Sequence, residues 1–153
     1  MSVNTAAGTK YYVSANAPAT YDGTGYAALT WTQVGEITSI GEYGREFTEV
    51  THQPLASRAQ QKLKGGYQEG TMPLGLALDT DDAGQIIMRA AVNSDTAISH
   101  KIVHQNGDVD YFRGLVYSFK KNPGELNNVV SATTNIGITT NAAGVGIVEV
   151  LAA

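Results

Sequence analysis

The sequence predicts a mainly β domain, an antiparallel β-sandwich or partly closed barrel with one flanking α-helix over about residues 80–92. Three observations carry this reading. Residues 71–78 alternate strictly, with Met72, Leu74, Leu76 and Leu78 on one face and Thr71, Pro73, Gly75 and Ala77 on the other. Two β-rich runs, residues 98–104 and 109–119, are joined by Gln105-Asn106-Gly107-Asp108, and Asn-Gly is the strongest short hairpin signal there is. One stretch alone, after Asp79-Thr80-Asp81-Asp82, has helical spacing of its apolar residues.

Taken in chain order, residues 1–30 mix Gly, Ala, Thr, Asn and Tyr without a period and read as an N-terminal arm outside the core. Residues 34–40 and 45–51 flank Gly41-Glu42-Tyr43-Gly44, which predicts a hairpin. Pro54 then opens a polar stretch, closed by Gly65-Gly66, that reads as a long loop over residues 53–66. Pro73 cannot donate to a ladder, so the strand at 71–78 is expected at an edge or bulged at that point. The carboxylates of Asp79, Asp81 and Asp82 can cap free N–H groups and favour the positive end of the helix dipole. Within the helix the i,i+4 pairs Ile86 and Ala90, Ile87 and Ala91, and Met88 and Val92 make a broad apolar stripe; Gly84 weakens the first turn. Asn122-Pro123-Gly124 turns the chain into a half-buried strand over 126–138, and residues 140–153 form a last strand or a tail.

One domain is the natural count for 153 residues, a length that buries roughly 68–70% of its unfolded surface. With no cysteine, disulfide and thiolate chemistry are excluded. No apolar run approaches a membrane span and the start lacks a basic n-region, so the chain reads as neither membrane-inserted nor exported. Ten basic against 14 acidic residues give a formal charge of -4, which argues against a phosphate-binding surface. Only 16% of residues are charged, below the roughly 25% usual in soluble domains, so much of the surface is expected to meet other protein.

The search for chemistry finds none. Asp79-Thr80-Asp81-Asp82-Ala83-Gly84 imitates the start of a calcium loop, but its fifth position is Ala83 and its twelfth Ala90, where a bidentate Glu is required. His100 and His104, four apart on a strand, would be roughly 13 Å apart, too far for one ion, and read as exposed strand histidines. His52 has no acid or nucleophile partner in sequence. Gly144-Val145-Gly146 has no following helix to hold a phosphate. No catalytic residue, metal or cofactor is therefore expected. Tyrosine supplies 8 of the 12 aromatic residues, which suits strands and protein interfaces alike.

This order of elements resembles the major tail tube protein family of long-tailed bacteriophages, related in architecture to secretion-system inner tube proteins. The resemblance covers roughly residues 30–140. It rests on Gly70-Thr71-Met72-Pro73-Leu74-Gly75-Leu76-Ala77-Leu78 running into Asp79-Thr80-Asp81-Asp82-Ala83-Gly84-Gln85 and the helix ending Met88-Arg89-Ala90-Ala91. Trp31-Thr32-Gln33-Val34-Gly35-Glu36-Ile37 and Asp110-Tyr111-Phe112-Arg113-Gly114-Leu115-Val116 support it. It implies a non-enzymatic virion protein in the tail, assembled in the host cytoplasm. Its hexameric rings would stack into a hollow tube through which DNA passes without specific binding, with tape measure, tail terminator and distal tail proteins as further partners. Two other readings remain open: a secretion-system inner tube, and a monomeric ligand-binding β-barrel.

Three expectations follow. Strands 71–78 and 126–138, nearly free of charge, would have their edges covered by neighbouring subunits. Glu36, Glu42, Glu46 and Glu49, against the lone Arg45, would line an acidic lumen that does not hold DNA. Arg58, Lys62 and Lys64, with no acidic residue between Glu49 and Glu69, would form a mobile loop that orders against an acidic partner on ring stacking.

Overall fold

The computed structural model describes residues 3–152, and within them the chain is mainly β. Its elements are β1 (Lys10–Ser14), α1 (Gly23–Ala27), β2 (Thr32–Gln33), β3 (Ile37–Ile40), β4 (Glu46–His52), β5 (Gln61–Gln68), β6 (Thr71–Ala77), α2 (Ala83–Val92), β7 (Ile98–Val103), β8 (Val109–Asn122), β9 (Ser131–Thr139) and β10 (Val148–Val150). Eight strands form one antiparallel sheet in the order β2-β1-β7-β8-β9-β6-β3, with β10 paired to the first residues of β8; β4 and β5 make a separate two-stranded ribbon. The sheet does not close into a barrel. No described helix is long and apolar enough to cross a membrane.

The alternation at 71–78 does what its period requires: Met72, Leu74 and Leu76 are buried. Met72 and Leu74 join one core with Val13 of β1, Ile102 of β7, Phe112 of β8 and Ile136 of β9, while Met88 and Ala91 of α2 close it. The helix starts at Asp82, whose carboxylate accepts from Gln85 N, and is pinned by a fully buried glutamine. Gln85 Nε2 donates to Gly35 O and Ala77 O, and its Oε1 accepts from Asp79 N, each at 3.0 Å. Every polar atom of that buried amide is thus used. The Asn-Gly hairpin forms as expected, with Gly107 at φ 95° where a residue with a side chain would be strained.

Several expectations are corrected. Residues 1–30 are not an arm outside the core: β1 lies between β2 and β7, with Tyr11 and Val13 buried, and α1 buries Tyr26 against Tyr111. Tyr11-Tyr12-Val13 is strand-like in composition, but its place in the core comes from β2 and β7 flanking it, which no local pattern shows. Residues 34–40 and 45–51 do not pair with each other. β3 pairs with β6, and β4 with β5, so the expected loop at 53–66 contains a strand and only residues 53–60 connect. β6 is internal, paired to β3 and β9, and β9 lies between β6 and β8, so neither strand offers an edge for a neighbour to cover. Pro73 is tolerated because its carbonyl accepts from Gly41 N on the β3 side, one residue past the last strand residue Ile40; the donor it lacks would face the same way, where the ladder has ended. β9 starts at Ser131, and residues 123–130 are an exposed turn. The C-terminal strand is real but only three residues long.

Candidate assembly surfaces

The register fixes two opposite ends of the sheet. At one end β3 stops, β6 begins at Thr71 opposite Gly137, and β8 passes Arg113 opposite Thr139. At the other end β6 stops at Ala77 opposite Ser131, and β8 reaches Asn122 opposite the same residue.

The ribbon of β4 and β5 leaves from the first end. Its base is held by four contacts. Gly44 N donates to Glu69 O, while Arg45 Nε donates to Glu69 Oε1 at 2.8 Å; the Glu69 side chain is buried. The Arg45 guanidinium also lies 4.1 Å over the Tyr67 ring, whose hydroxyl donates to Gly144 O. Just before the ribbon, the Tyr43 hydroxyl donates to Asp110 Oδ2 at 2.5 Å, and the same oxygen is 2.8 Å from His104 Nε2. Burial, then the hydrogen bond to Asp110 and the charges of Asp110 and Glu149, hold the Tyr43 hydroxyl well above its ordinary pKa. It stays a neutral donor.

Beyond its base the ribbon packs on nothing. Phe47, Val50, Leu63 and Tyr67 are exposed along it, and Leu55 at its tip is fully so. Phe47 and Tyr67 lie on one face of the ribbon and Val50 and Leu63 on the other; a two-stranded ribbon with exposed apolar residues has no stability of its own in water, and such exposure marks a protein-contact surface.

The expected site residues fall as follows. Arg58 is in the 53–60 connection, but Lys62 and Lys64 stand on β5, so the three do not share one mobile loop. Lys62 Nζ already has a carboxylate, Glu49 Oε1 at 3.4 Å across the ribbon, and Lys64 Nζ lies 4.7 Å from the Phe47 ring. Glu46 and Glu49 are on β4 and Glu42 precedes it, whereas Glu36 stands at the other end of the sheet, at the start of β3, with φ 63°. The four glutamates are therefore not one surface. Of the three aspartates, Asp82 caps the helix and also accepts from Gly35 N; Asp79 accepts from Asp81 N; Asp81 is exposed.

His100 is not an exposed strand histidine. It is completely buried, stacked on Phe112, with Nδ1 2.6 Å from the Tyr11 hydroxyl and Nε2 3.3 Å from Gly114 O. A carbonyl only accepts, so Nε2 carries the proton and the Tyr11 hydroxyl donates to Nδ1. Burial pushes His100 down to about 3. His104 lies at the mouth of a groove of about 510 Å³, with Tyr43, Ile102 and the edge strand β3 around it. Among the described residues no group of three His, Cys, Asp or Glu side chains could hold a metal. Sequence reading also missed that the apolar residues of the ribbon stay exposed. Leu63 between Lys62 and Lys64 was the one signal, masked by the glutamines and glycines around it.

No protein-family model matches the sequence, and no curated protein matches it. Solved structures do match in fold. A chain of an extracellular contractile injection system, the PVC sheath/tube terminator in its extended state, superposes with a TM-score of 0.70 over 99% of both chains, at 7% identity. The SPP1 tail tube superposes with a TM-score of 0.62 over 92% of this chain and 75% of that one, at 14% identity. The PVC sheath-tube complex gives a TM-score of 0.63 over 94% of this chain and 88% of that one, at 8% identity. This chain has the tail-tube fold. In this tail-tube fold the ribbon of β4 and β5 is one part that its own core leaves uncovered.

Proposed function

We propose that this chain is a non-enzymatic tube subunit of a bacteriophage tail, forming hexameric rings that stack into a hollow conduit for DNA. The observation that carries the reading is the tail-tube fold spanning nearly the whole chain, in a molecule whose ribbon, residues 46–68, is left without a core of its own. A ribbon of that kind, roughly 20 Å long or more at about 3.3 Å per residue, reaches from one subunit to another. Arg58 at its tip, with Lys62 and Lys64 behind it on β5, forms the stacking contact. The wall facing DNA is net acidic, consistent with the charge of -4, so that phosphates slide past it. Glu42, Glu46 and Glu49 at the ribbon end contribute to it, as does Glu36 from the opposite end. Tape measure, terminator and distal tail proteins cap and fill such a tube in the virion, after assembly in the host cytoplasm.

A second reading, the inner tube of an injection or secretion machine, has support in the two injection-system chains above. A monomeric ligand barrel has less, because the interior between β6 and β8 is filled by Met72, Leu74, Phe112 and Ile136. The test is negative-stain microscopy of the purified protein over a range of concentrations. Six-fold rings and tubes are expected; a protein that stays monomeric at every concentration refutes the proposal.

A further inference from the structure

Resting on the tube reading, we infer that the tip of the β4–β5 ribbon, residues 53–60, docks on the 123–130 turn of the next copy, head to tail. The ribbon leaves the sheet where β6 begins, and the turn lies where β6 ends. On the turn Leu126 is 97% exposed and Val129 74%, and Val130 is exposed beside them. No core residue of this chain covers them. Leu55 at the ribbon tip is likewise uncovered, with Val50 and Leu63 exposed behind it. Two apolar surfaces at opposite ends of one molecule can cover each other along a head-to-tail series of copies, which is the heterologous contact that makes filaments and tubes; an antiparallel two-fold pair is the competing arrangement.

Charge agrees with this pairing. The donor segment 53–64 carries Arg58, Lys62 and Lys64 and no acid; Lys62 is matched by Glu49 across the ribbon, so Arg58 and Lys64 are the charges it offers a neighbour. Leu78 N donates to Val130 O at 2.9 Å, which sets the apolar turn beside Asp79, Asp81 and Asp82; Gly35 N, bonded to Asp82, brings Glu36 to the same end. Lys120, Lys121 and Arg89 are the opposing cations there, fewer than the carboxylates once Glu125 is counted. Apolar burial supplies the attraction, and the complementary charges select the register.

The chain has no cysteine, so a designed pair reports the contact without background. Ala56→Cys with Asn127→Cys, both exposed positions, should give a ladder of covalent oligomers under mild oxidation, because a disulfide requires Cα atoms within about 7 Å. A mixture of the two single variants should stop at dimers. Tubes without a ladder would overturn this contact and leave the tube reading standing. Neither tubes nor ladder overturns both. A ladder that ends at closed dimers in the double variant, or cross-linking of Ala56→Cys alone, overturns the head-to-tail pairing. Independently, Leu126→Ser with Val129→Ser should keep the circular dichroism spectrum and raise the concentration needed for tubes by about tenfold or more. Asp81→Arg should weaken assembly and Arg58→Asp should restore it in the same chain; failure of both variants to alter assembly overturns the proposal.

Discussion

His100 is a buried base held neutral by its surroundings, and this makes it an acid sensor for stability. Its pKa is about 3 in the fold, against about 6.5 in an unfolded chain. The unfolded state therefore binds the extra proton first as pH falls, so the stabilisation is complete above about 6.5 and is lost progressively below it. One such group changes stability by about 1.4 kcal/mol per pH unit in that window. In urea titrations between pH 6.5 and 4.5, His100→Gln should be less stable at neutral pH yet show a flatter pH dependence than the parent. An unchanged slope would assign the acid sensitivity elsewhere. Sequence spacing put His100 on a strand correctly, but exposure depends on what lies over the strand, and here that is Tyr11, 89 residues away.

At the scale of the element, Gly84 reverses its usual meaning. Helix propensity alone favours Ala by about 1 kcal/mol. A Cβ at Gly84, however, would lie 2.4 Å from Gln33 O and 2.6 Å from Val34 Cα. Backbone cannot step aside cheaply, so Gly84→Ala should destabilise by about 1–2 kcal/mol net, seen as a melting temperature lower by about 3–6 °C. The helix itself was legible from Asp82 and its apolar spacing; the reason for its glycine was not, because Gln33 and Val34 are brought there only by the fold. The ribbon makes the opposite prediction. Glu46 pairs directly with Gln68, so a two-residue Asn-Gly turn can replace residues 47–67. That deletion should leave a cooperatively melting monomer, since no ribbon residue belongs to the core cluster, and should abolish tubes in the microscope. Loss of the folded monomer would mean that the ribbon is structural.

For the molecule as a whole, the decisive pairing is that of β1 with β7, which joins the first strand to one nearly ninety residues later. Sheets built from such distant pairings must close long loops before contacts reward them, so refolding should take milliseconds to seconds rather than microseconds. The same pairing makes residues 10–14 indispensable. Removing residues 1–16 exposes the edge of β7 and takes Tyr11 and Val13 from the core, and the truncated chain should lose its cooperative thermal transition and the spread of its amide NMR signals. A truncated chain that melts as the parent does would restore the reading of this segment as an arm.

What the sequence determined by itself was local: the period-2 face of Met72, Leu74 and Leu76, the turn at Asn106-Gly107 and the carboxylate start of the helix. Each depends on neighbours within a few positions, where backbone geometry leaves few choices. Only the tertiary structure decided which strands pair, since Ile37 and Leu76, or Tyr11 and Ile102, meet through burial that no local pattern encodes. Lys62 and Lys64 belong to a ribbon rather than a loop for the same reason: β4 finds its partner across residues 53–60, because β6 has already taken β3.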